Sequence, residues 1–234
     1  MKKELLTPED IRLLSHNPLL CGFSESDCKN LLTALRAAVR SYPKNTEILS
    51  AGSPATQIGI VLEGSAQVIS SDVFGNQTIF GMIEPPDLFA EAFCCAGSPA
   101  IPVSVLAVRP TRVLFLTYPG TPTPNQSPAD ASLHMKLMEN MVRVLASKNL
   151  MLNEKLRCLS RRSTREKLLA YLSSRARAAS SLTFSIPFNR QELADYLCVD
   201  RSAMSAELSR LRQEGILDFH RSHFLLHADF SNQE

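Results

Sequence analysis

The hydrophobic residues of this chain change their spacing along its length, and each spacing predicts a different kind of element. Residues 8–39 have a helical pattern, with Leu31, Leu32, Leu35 and Val39 on the apolar side. Residues 40–118 instead contain short apolar runs separated by turn residues about every ten positions, which is typical of a β-barrel or sandwich. The predicted strands lie at 47–49, 58–62, 66–69, 78–83, 103–108 and 113–116.

A long helix is predicted after this region. Residues 118–128 carry four prolines and are predicted to form an extended loop, whereas residues 131–159 contain neither proline nor glycine. The helical segment has two apolar stripes, one formed by Leu133, Leu137, Met141, Val144 and Met151, the other by Met138, Leu145, Leu152, Leu156 and Leu159. Such a helix can pack one face on its own barrel and the other on a second copy of itself.

The predicted dimer interface therefore consists of Met138, Leu145, Leu152 and Leu156. The alternative is a helix that is wholly buried within a monomer. That alternative requires interior partners for the polar residues of the same segment, which are Lys148, Asn149, Asn153, Glu154 and Lys155.

Residues 188–217 contain two short amphipathic segments whose arrangement is typical of a helix-turn-helix. Asn189 is the predicted N-cap of the first segment, and Glu192 completes a capping box. Asp200 is the predicted N-cap of the second segment. The inward side of this second segment is predicted to consist of Ala203, Met204, Leu208 and Leu211.

A short hairpin is predicted directly after these segments. Gly215 is placed to end the second helix, and residues 216–226 alternate like two strands with His220, Arg221 and Ser222 at the tip. A helix-turn-helix followed by a hairpin is a winged helix, so double-stranded DNA is the predicted partner; the alternative is an amphipathic helical hairpin on a larger core. The residues predicted to bind DNA are Arg190, Arg201, Ser202, Ser205, Ser209 and Arg210.

Composition and charge narrow the function further. The 234 residues carry a net charge of +2, with the basic excess confined to the part from Arg161 onward. No apolar run is long enough to span a membrane, and the N-terminus lacks the apolar core of a signal peptide, so a soluble, cytoplasmic protein is expected. Residues 40–118 contain no histidine, and nucleotide-binding or nucleophile motifs are absent from the sequence. These observations argue against an enzyme, while an adaptor that does not bind DNA stays open.

The order of these parts resembles that of the Crp and Fnr family of bacterial transcription regulators. The resemblance is carried by IGIVLEGSAQV (58–68), PDLFAEA (86–92), RQELADYL (190–197) and DRSAMS (200–205). It implies an α+β fold with an antiparallel, jelly-roll-like β-roll sensor at 1–128, a dimerisation helix and hinge at 129–160, and a winged helix-turn-helix at 161–234. It further implies control by a small effector in the β-roll, homodimers, promoter DNA as ligand, and RNA polymerase as partner.

The sequence departs from the family pattern at two places. Relatives that bind cyclic AMP hold the ribose with a glutamate, which Glu91 matches, and the phosphate with an arginine about ten residues later, but no basic residue occurs here before Arg109. Cyclic AMP is therefore not expected to bind, and a regulator that responds to cyclic nucleotides is the less favoured alternative. In well-known relatives an acidic residue and an arginine on the recognition helix read the operator, and Ser202 and Ala206 stand in their places.

The resemblance places the effector pocket near residues whose side chains are mostly apolar or contain sulfur. The predicted pocket consists of Phe89, Glu91, Cys94, Cys95, Met141 and Leu145, which favours a small, mostly apolar or aromatic metabolite. Some relatives hold an iron–sulfur cluster through clustered cysteines, so a redox or thiol sensor is an alternative; the cysteines available are Cys21, Cys28, Cys94 and Cys95. Their spacing does not match that pattern, and neither a metal, haem nor another cofactor is expected. Cys21 and Cys28 are each predicted to occupy ordinary apolar positions.

Overall fold

The computed structural model describes residues 5–71, 77–118 and 128–227. The helices within these ranges are α1 (Pro8–Ser15), α2 (Glu25–Ala34), α3 (Glu91–Cys95), α4 (Pro128–Leu159), α5 (Thr164–Ala179), α6 (Arg190–Leu197) and α7 (Arg201–Gln213). The strands are β1 (Ala38–Tyr42), β2 (Glu47–Leu49), β3 (Gln57–Glu63), β4 (Ala66–Ser71), β5 (Gln77–Ile83), β6 (Leu88–Phe89), β7 (Ser104–Ala107), β8 (Thr111–Thr117), β9 (Thr183–Ser185), β10 (Leu217–His220) and β11 (His223–Leu226). Most of the predicted loop at 118–128 lies outside the described residues. None of the described helices combines the length and the hydropathy needed to cross a lipid bilayer.

The predicted β-roll is confirmed. The chain divides into two compact units, residues 1–74 with 80–148 and residues 75–79 with 149–234. Two four-stranded sheets, ordered β1-β8-β3-β6 and β2-β7-β4-β5, form the β-roll. Apolar residues from both sheets, including Val61, Val105 and Phe115, form one buried cluster between them.

Strand β3 is buried on both faces, which explains why its sequence is a continuous apolar run rather than an alternating one. Val61 belongs to the cluster between the sheets. Ile58 and Ile60 belong instead to a second cluster, which includes Leu31 of α2 and Leu137 of α4. The helices therefore cover the outer face of the sheet that contains β3.

The helical prediction for residues 8–39 was correct in part. The segment forms two separate helices, and α2 ends at Ala34. Arg36 then adopts a left-handed φ of 51°, and Val39 lies on β1, where it pairs with Leu114 of β8. The prediction that Val39 belongs to a helix was wrong because a short apolar run does not distinguish a buried helix from a buried strand.

The second unit contains α5, α6 and α7 together with a three-stranded sheet ordered β10-β11-β9. Asn189 caps α6 in a capping box with Glu192, and the carboxylate of Asp200 caps α7 by accepting from the backbone N–H of Ala203. The predicted hairpin forms, with His220 opposite His223. A winged helix-turn-helix is therefore confirmed.

Ala203 in the second unit differs from expectation, and Cys198 has an uncommon backbone conformation. Ala203 was expected to face inward but is exposed, because Met204, Leu208 and Leu211 occupy the buried positions and Ala203 lies about 100° around the helix from Met204. Cys198 occupies the turn between α6 and α7 in a left-handed conformation with a φ of 51°. This left-handed conformation favours glycine, yet a cysteine adopts it here.

Candidate DNA-binding surface and effector site

The predicted DNA-binding residues of α7 lie together on its exposed side. Met204, Leu208 and Leu211 are fully buried and attach the helix to the second unit. The opposite side carries the predicted residues, of which Arg201, Ser202, Ser209 and Arg210 are exposed and Ser205 is half-buried. Small polar side chains flanked by arginines leave room for the helix to enter a major groove.

Two of these hydroxyl groups already donate hydrogen bonds within the helix. The Ser202 hydroxyl donates to the carboxylate of Asp200, and the Ser209 hydroxyl donates to the carbonyl oxygen of Ser205 at 3.0 Å. The hydrogen bond from Ser202, together with the backbone bond from Ala203, holds the pKa of Asp200 below its ordinary value. The hydroxyl proton of Ser202 is thus engaged by Asp200, and a hydroxyl oxygen that donates its proton can still accept a hydrogen bond.

Arg190 connects the start of α6 to the wing. Its guanidinium lies 4.7 Å from the ring centroid of Phe219 and 5.3 Å from that of Phe224. The side chain is half-buried, and burial lowers the pKa of its guanidinium. A guanidinium stacked on aromatic rings keeps N–H groups at its edge, which can still donate to a phosphate. No pattern in the sequence indicated this contact with the wing.

Further contacts hold α7 in place and were also missed by sequence reasoning. Arg165 of α5 forms ion pairs with Glu207 and Glu214 at the middle and end of α7. On the other side of α5, Tyr171 packs against Tyr196 of α6 with ring centroids 5.3 Å apart. These contacts orient both helices of the motif against α5.

The predicted effector residues divide between two parts of the β-roll. Cys94, Cys95, Met141 and Leu145 belong to the cluster between the helices and the outer face of the sheet. Phe89 instead lies between the sheets, where its ring packs edge-on against Phe115 at 6.1 Å. Phe89 also fills the space above Gly59, since a Cβ there would lie 2.1 Å from the ring.

Glu91 begins α3, and its carboxylate is buried beside α4. The residue is only 3% exposed, and Oε1 lies 2.7 Å from Nζ of Lys148. Lys148 was not among the predicted site residues. Its position on the helix, one turn after Leu145, was the only signal in the sequence that could have suggested this pair.

The thiols of Cys94 and Cys95 lie in an environment that suppresses their ionisation. Burial, and then the neighbouring Cys95 and Glu91, raise the pKa of Cys94 to about 11. Burial also raises the pKa of Cys95, although a hydrogen bond with Tyr118 acts in the opposite direction. The thiolate is the reactive form, so burial disfavours reaction of either thiol at neutral pH.

The cysteines proposed as cluster ligands are not brought together. Among the described residues, no group of three or more His, Cys, Asp or Glu side chains could hold a metal ion. Cys28 is buried as expected, whereas Cys21 is exposed, so its predicted apolar environment was wrong. Cys21 follows Leu19 and Leu20, and these two leucines take the buried positions.

We expect Cys94 to be alkylated far more slowly than Cys21 or Cys198 at pH 7. A thiol with a pKa of about 11 is ionised in about one molecule in ten thousand at that pH, and the ionised fraction grows tenfold with each pH unit up to the pKa. Iodoacetamide labelling of the native protein, mapped by mass spectrometry, measures the rates. The exposed Cys21 and Cys198 are internal controls, and fast labelling of Cys94 at neutral pH would contradict the assignment.

The exposed apolar seam of helix α4 is longer than the four-residue dimer interface predicted from the sequence. Met135, Val142 and Leu156 are 59%, 65% and 63% exposed. Their spacing places them with Asn149 at one position of a seven-residue repeat. The second apolar position of that repeat is occupied by the remaining residues of the stripe, Met138, Leu145, Leu152 and Leu159. Met135 and Val142 were missed because the sequence alone did not separate this seam from the inner face.

The inner face of α4 is buried at Leu137, Met141 and Val144 in the first unit, and again at Lys155 and Cys158 in the second unit. Leu137, Met141 and Val144 are at most 4% exposed, whereas Met151, expected on the same face, is 66% exposed. The expectation for Met151 was wrong, since this residue lies uncovered between the buried stretch that ends at Val144 and the buried Lys155. Lys155 is buried in the second unit, with its Nζ 3.9 Å from the ring centroid of Tyr196, and burial lowers its pKa to about 8.

A β-roll, a long helix and a winged helix-turn-helix with an exposed recognition helix define a DNA-binding transcription regulator. A cyclic nucleotide-binding domain matches residues 39–120, and a Crp-like helix-turn-helix domain matches residues 166–229. The chain belongs to the Crp/Fnr family of transcription regulators.

Relatives and solved structures agree with this assignment. The chain is 23% identical over 202 residues to the transcriptional activator protein FnrL of Cereibacter sphaeroides, covering 82% of this chain and 77% of FnrL. It is 24% identical over 203 residues to a probable transcriptional activator of Rhizobium leguminosarum bv. viciae, with coverage of 83% and 79%.

The same fold is found in FixK2 from Bradyrhizobium japonicum, with a TM-score of 0.63, 21% identity and coverage of 82% of this chain and 92% of that one. It is also found in CLP of Xanthomonas campestris, described as a c-di-GMP-responsive global regulator, with a TM-score of 0.70, 16% identity and coverage of 88% and 100%.

Proposed function

We propose that this regulator acts as a homodimer joined along the seam of α4, reads its operator with α7, and responds to a small effector in the β-roll. The observation that carries the proposal is the exposed apolar seam. An isolated helix face with Met135, Val142, Leu152 and Leu156 in water is unfavourable, and a second copy of the same helix covers it symmetrically.

The repeat favours a parallel, two-stranded arrangement. Asn149 is the one polar residue among the seam positions from Met135 to Leu159, and it is exposed. A single asparagine at such a position favours two-stranded coiled coils in register, because its amide pairs with the same residue of the partner helix. A parallel dimer presents two copies of α7 to DNA, which suits an operator with two related half-sites.

For DNA reading, we propose distinct roles for the residues of α6 and α7. Arg201, the exposed hydroxyl of Ser202 and the hydroxyl of the half-buried Ser205 contact base edges, while Arg190 and Arg210 contact the phosphate backbone. Ser209 lies on the same side as Ser205 and completes the contact surface. Support for this division comes from the position of Arg201 at the first turn of α7 and from the stacking of Arg190 on the wing.

For effector sensing, we propose a site that includes Glu91 and the sulfur-containing cluster of Cys94, Cys95 and Met141, with Leu145 linking it to the seam. Phe89 contributes from the neighbouring strand. The absence of a basic residue between Glu91 and Arg109 argues against cyclic nucleotides, and the buried thiols argue against redox sensing. Family membership supports RNA polymerase as a partner, a cytoplasmic location and a role other than catalysis.

Selection of bound DNA from a random library tests the proposed function directly. We expect the selected sites to contain two symmetric half-sites whose centres are about 34 Å apart, or one helical turn of DNA. Electrophoretic shifts at several salt concentrations then measure the affinity ratio between selected and random DNA. Selected sites with a single half-site would contradict the dimer, and equal affinity for all sequences would contradict specific reading.

A further inference from the structure

The carboxylate of Glu91 forms an ion pair with a lysine of the same chain. Nζ of Lys148 lies 2.7 Å from Oε1 of Glu91 and donates a hydrogen bond to the carbonyl oxygen of Leu88 at 2.6 Å. Oε2 of Glu91 is fully buried and has no hydrogen-bond partner among the described residues. The ammonium group of Lys148 therefore contacts two oxygen atoms, Oε1 of Glu91 and the carbonyl oxygen of Leu88, and a third buried oxygen, Oε2, still lacks a donor in the described part of the chain.

The chemistry of this site differs from that of an anion site. A carboxylate and a carbonyl oxygen accept hydrogen bonds and attract positive charge, so they complement the three N–H groups of a primary ammonium ion. A phosphate in their place would bring a second negative charge beside a buried carboxylate. The first basic residue that follows in sequence, Arg109, is exposed. An anion bound here would have to compete with Glu91 for Lys148, and a buried Glu91 that loses this partner is costly.

We propose that Glu91 and the carbonyl of Leu88 form an ammonium site, that Lys148 fills it as a tethered ligand, and that small primary amines are the class of ligand it accepts. Lys148 lies on α4 between the seam residues Leu145 and Leu152. Occupancy of the site therefore attaches the β-roll to the helix that carries the dimer seam. The regulatory consequence is that occupancy of the site influences operator binding through the dimer seam. This consequence rests on the proposed function, whereas the ammonium site itself does not.

Chemical rescue of a truncated lysine tests the site. Lys148→Ala removes the propylammonium part of the side chain, and we expect it to lower the melting temperature of the full-length protein by about 5 °C because it leaves a buried carboxylate unpaired. Added n-propylammonium chloride should restore at least half of that loss at millimolar concentration. Sodium chloride at equal ionic strength, n-propanol and cyclic AMP should restore none of it.

Matched variants keep the result interpretable. Lys148→Met retains the apolar stem, so it should lose stability without being rescued, and it replaces Lys148→Ala as the test of the ion pair if the alanine variant does not fold. Adding Glu91→Gln to Lys148→Ala should abolish the rescue. Lys29→Ala breaks an exposed pair with Glu25, in which the lysine side chain is 61% exposed, and should show neither loss nor rescue.

Several outcomes would overturn the proposal. Unchanged stability of both Lys148 variants would mean that the pair is not an energetic contact. Equal rescue by n-propanol would mean that the site responds only to filled volume, and rescue by cyclic AMP would mean that it accepts anions. Operator affinity measured in the same samples should fall and recover with the melting temperature; recovery of stability alone would refute the regulatory consequence and leave the ammonium site standing.

Discussion

Replacing Leu152 by glutamate is expected to convert the homodimer into a folded monomer that has lost at least about 100-fold in operator affinity. Leu152 lies in the seam and is 52% exposed, so the monomer tolerates the change. In a dimer, the two glutamates would face each other across the helices without a cationic partner, which is strongly unfavourable. Sedimentation velocity measures the association state, and electrophoretic shifts measure operator binding.

Leu150→Glu is the matched control for this experiment. Leu150 is the same residue type on the same helix and is 70% exposed, but it lies outside the seam positions. This variant should remain dimeric and bind DNA normally. The proposed interface would be refuted if the unmodified chain were a compact monomer at micromolar concentration, or if both variants dissociated equally.

Replacing Arg201 by alanine is expected to cost about 1 to 3 kcal/mol of binding free energy per half-site and to relax the preference at particular base pairs. The exposed guanidinium at the first turn of α7 can reach base edges, and its loss removes contacts that depend on sequence. Ser202→Ala and Ser205→Ala should act in the same way. Competition binding with a panel of single-base operator variants measures each effect.

Arg190→Ala should behave differently from Arg201→Ala. We expect it to weaken binding about equally on specific and random DNA and to reduce the salt slope by about one unit per half-site, as the loss of a phosphate contact does. It should also lower the stability of the second unit, because the stacking on Phe219 and Phe224 is lost. A melting curve separates that contribution from the loss of a phosphate contact.

Arg143→Ala controls for the loss of one positive charge in the binding measurements on Arg201→Ala and Arg190→Ala. Arg143 is an exposed residue of α4 outside the DNA-binding unit. Uniform losses from Arg201→Ala and Arg190→Ala on all sequences would mean that α7 lies in the groove in another orientation. Unchanged binding from every variant of α6 and α7 would contradict this surface as the DNA contact.

Much of the DNA-binding unit could be predicted from the sequence because its signals are local. The capping side chains of Asn189 and Asp200 each act within three residues of their own position, and the hairpin register follows from a short turn. The β-roll strands were also predictable where turn residues bounded them. Val39 was misassigned because helix and strand both bury a residue at that position, and only its pairing with Leu114 decides between them.

The sequence by itself determined the order of the elements, the faces of α6 and α7, and the lack of a basic residue between Glu91 and Arg109, since each depends on residue type and short spacing. Only the tertiary structure decided which face of α4 stays exposed, that Arg190 stacks on the wing, and that Lys148 occupies the carboxylate of Glu91. Glu91 and Lys148 are far apart in sequence, and no local pattern encodes a contact between them. Such contacts form when separate elements pack together, because a buried charge is costly unless a group of opposite charge lies beside it.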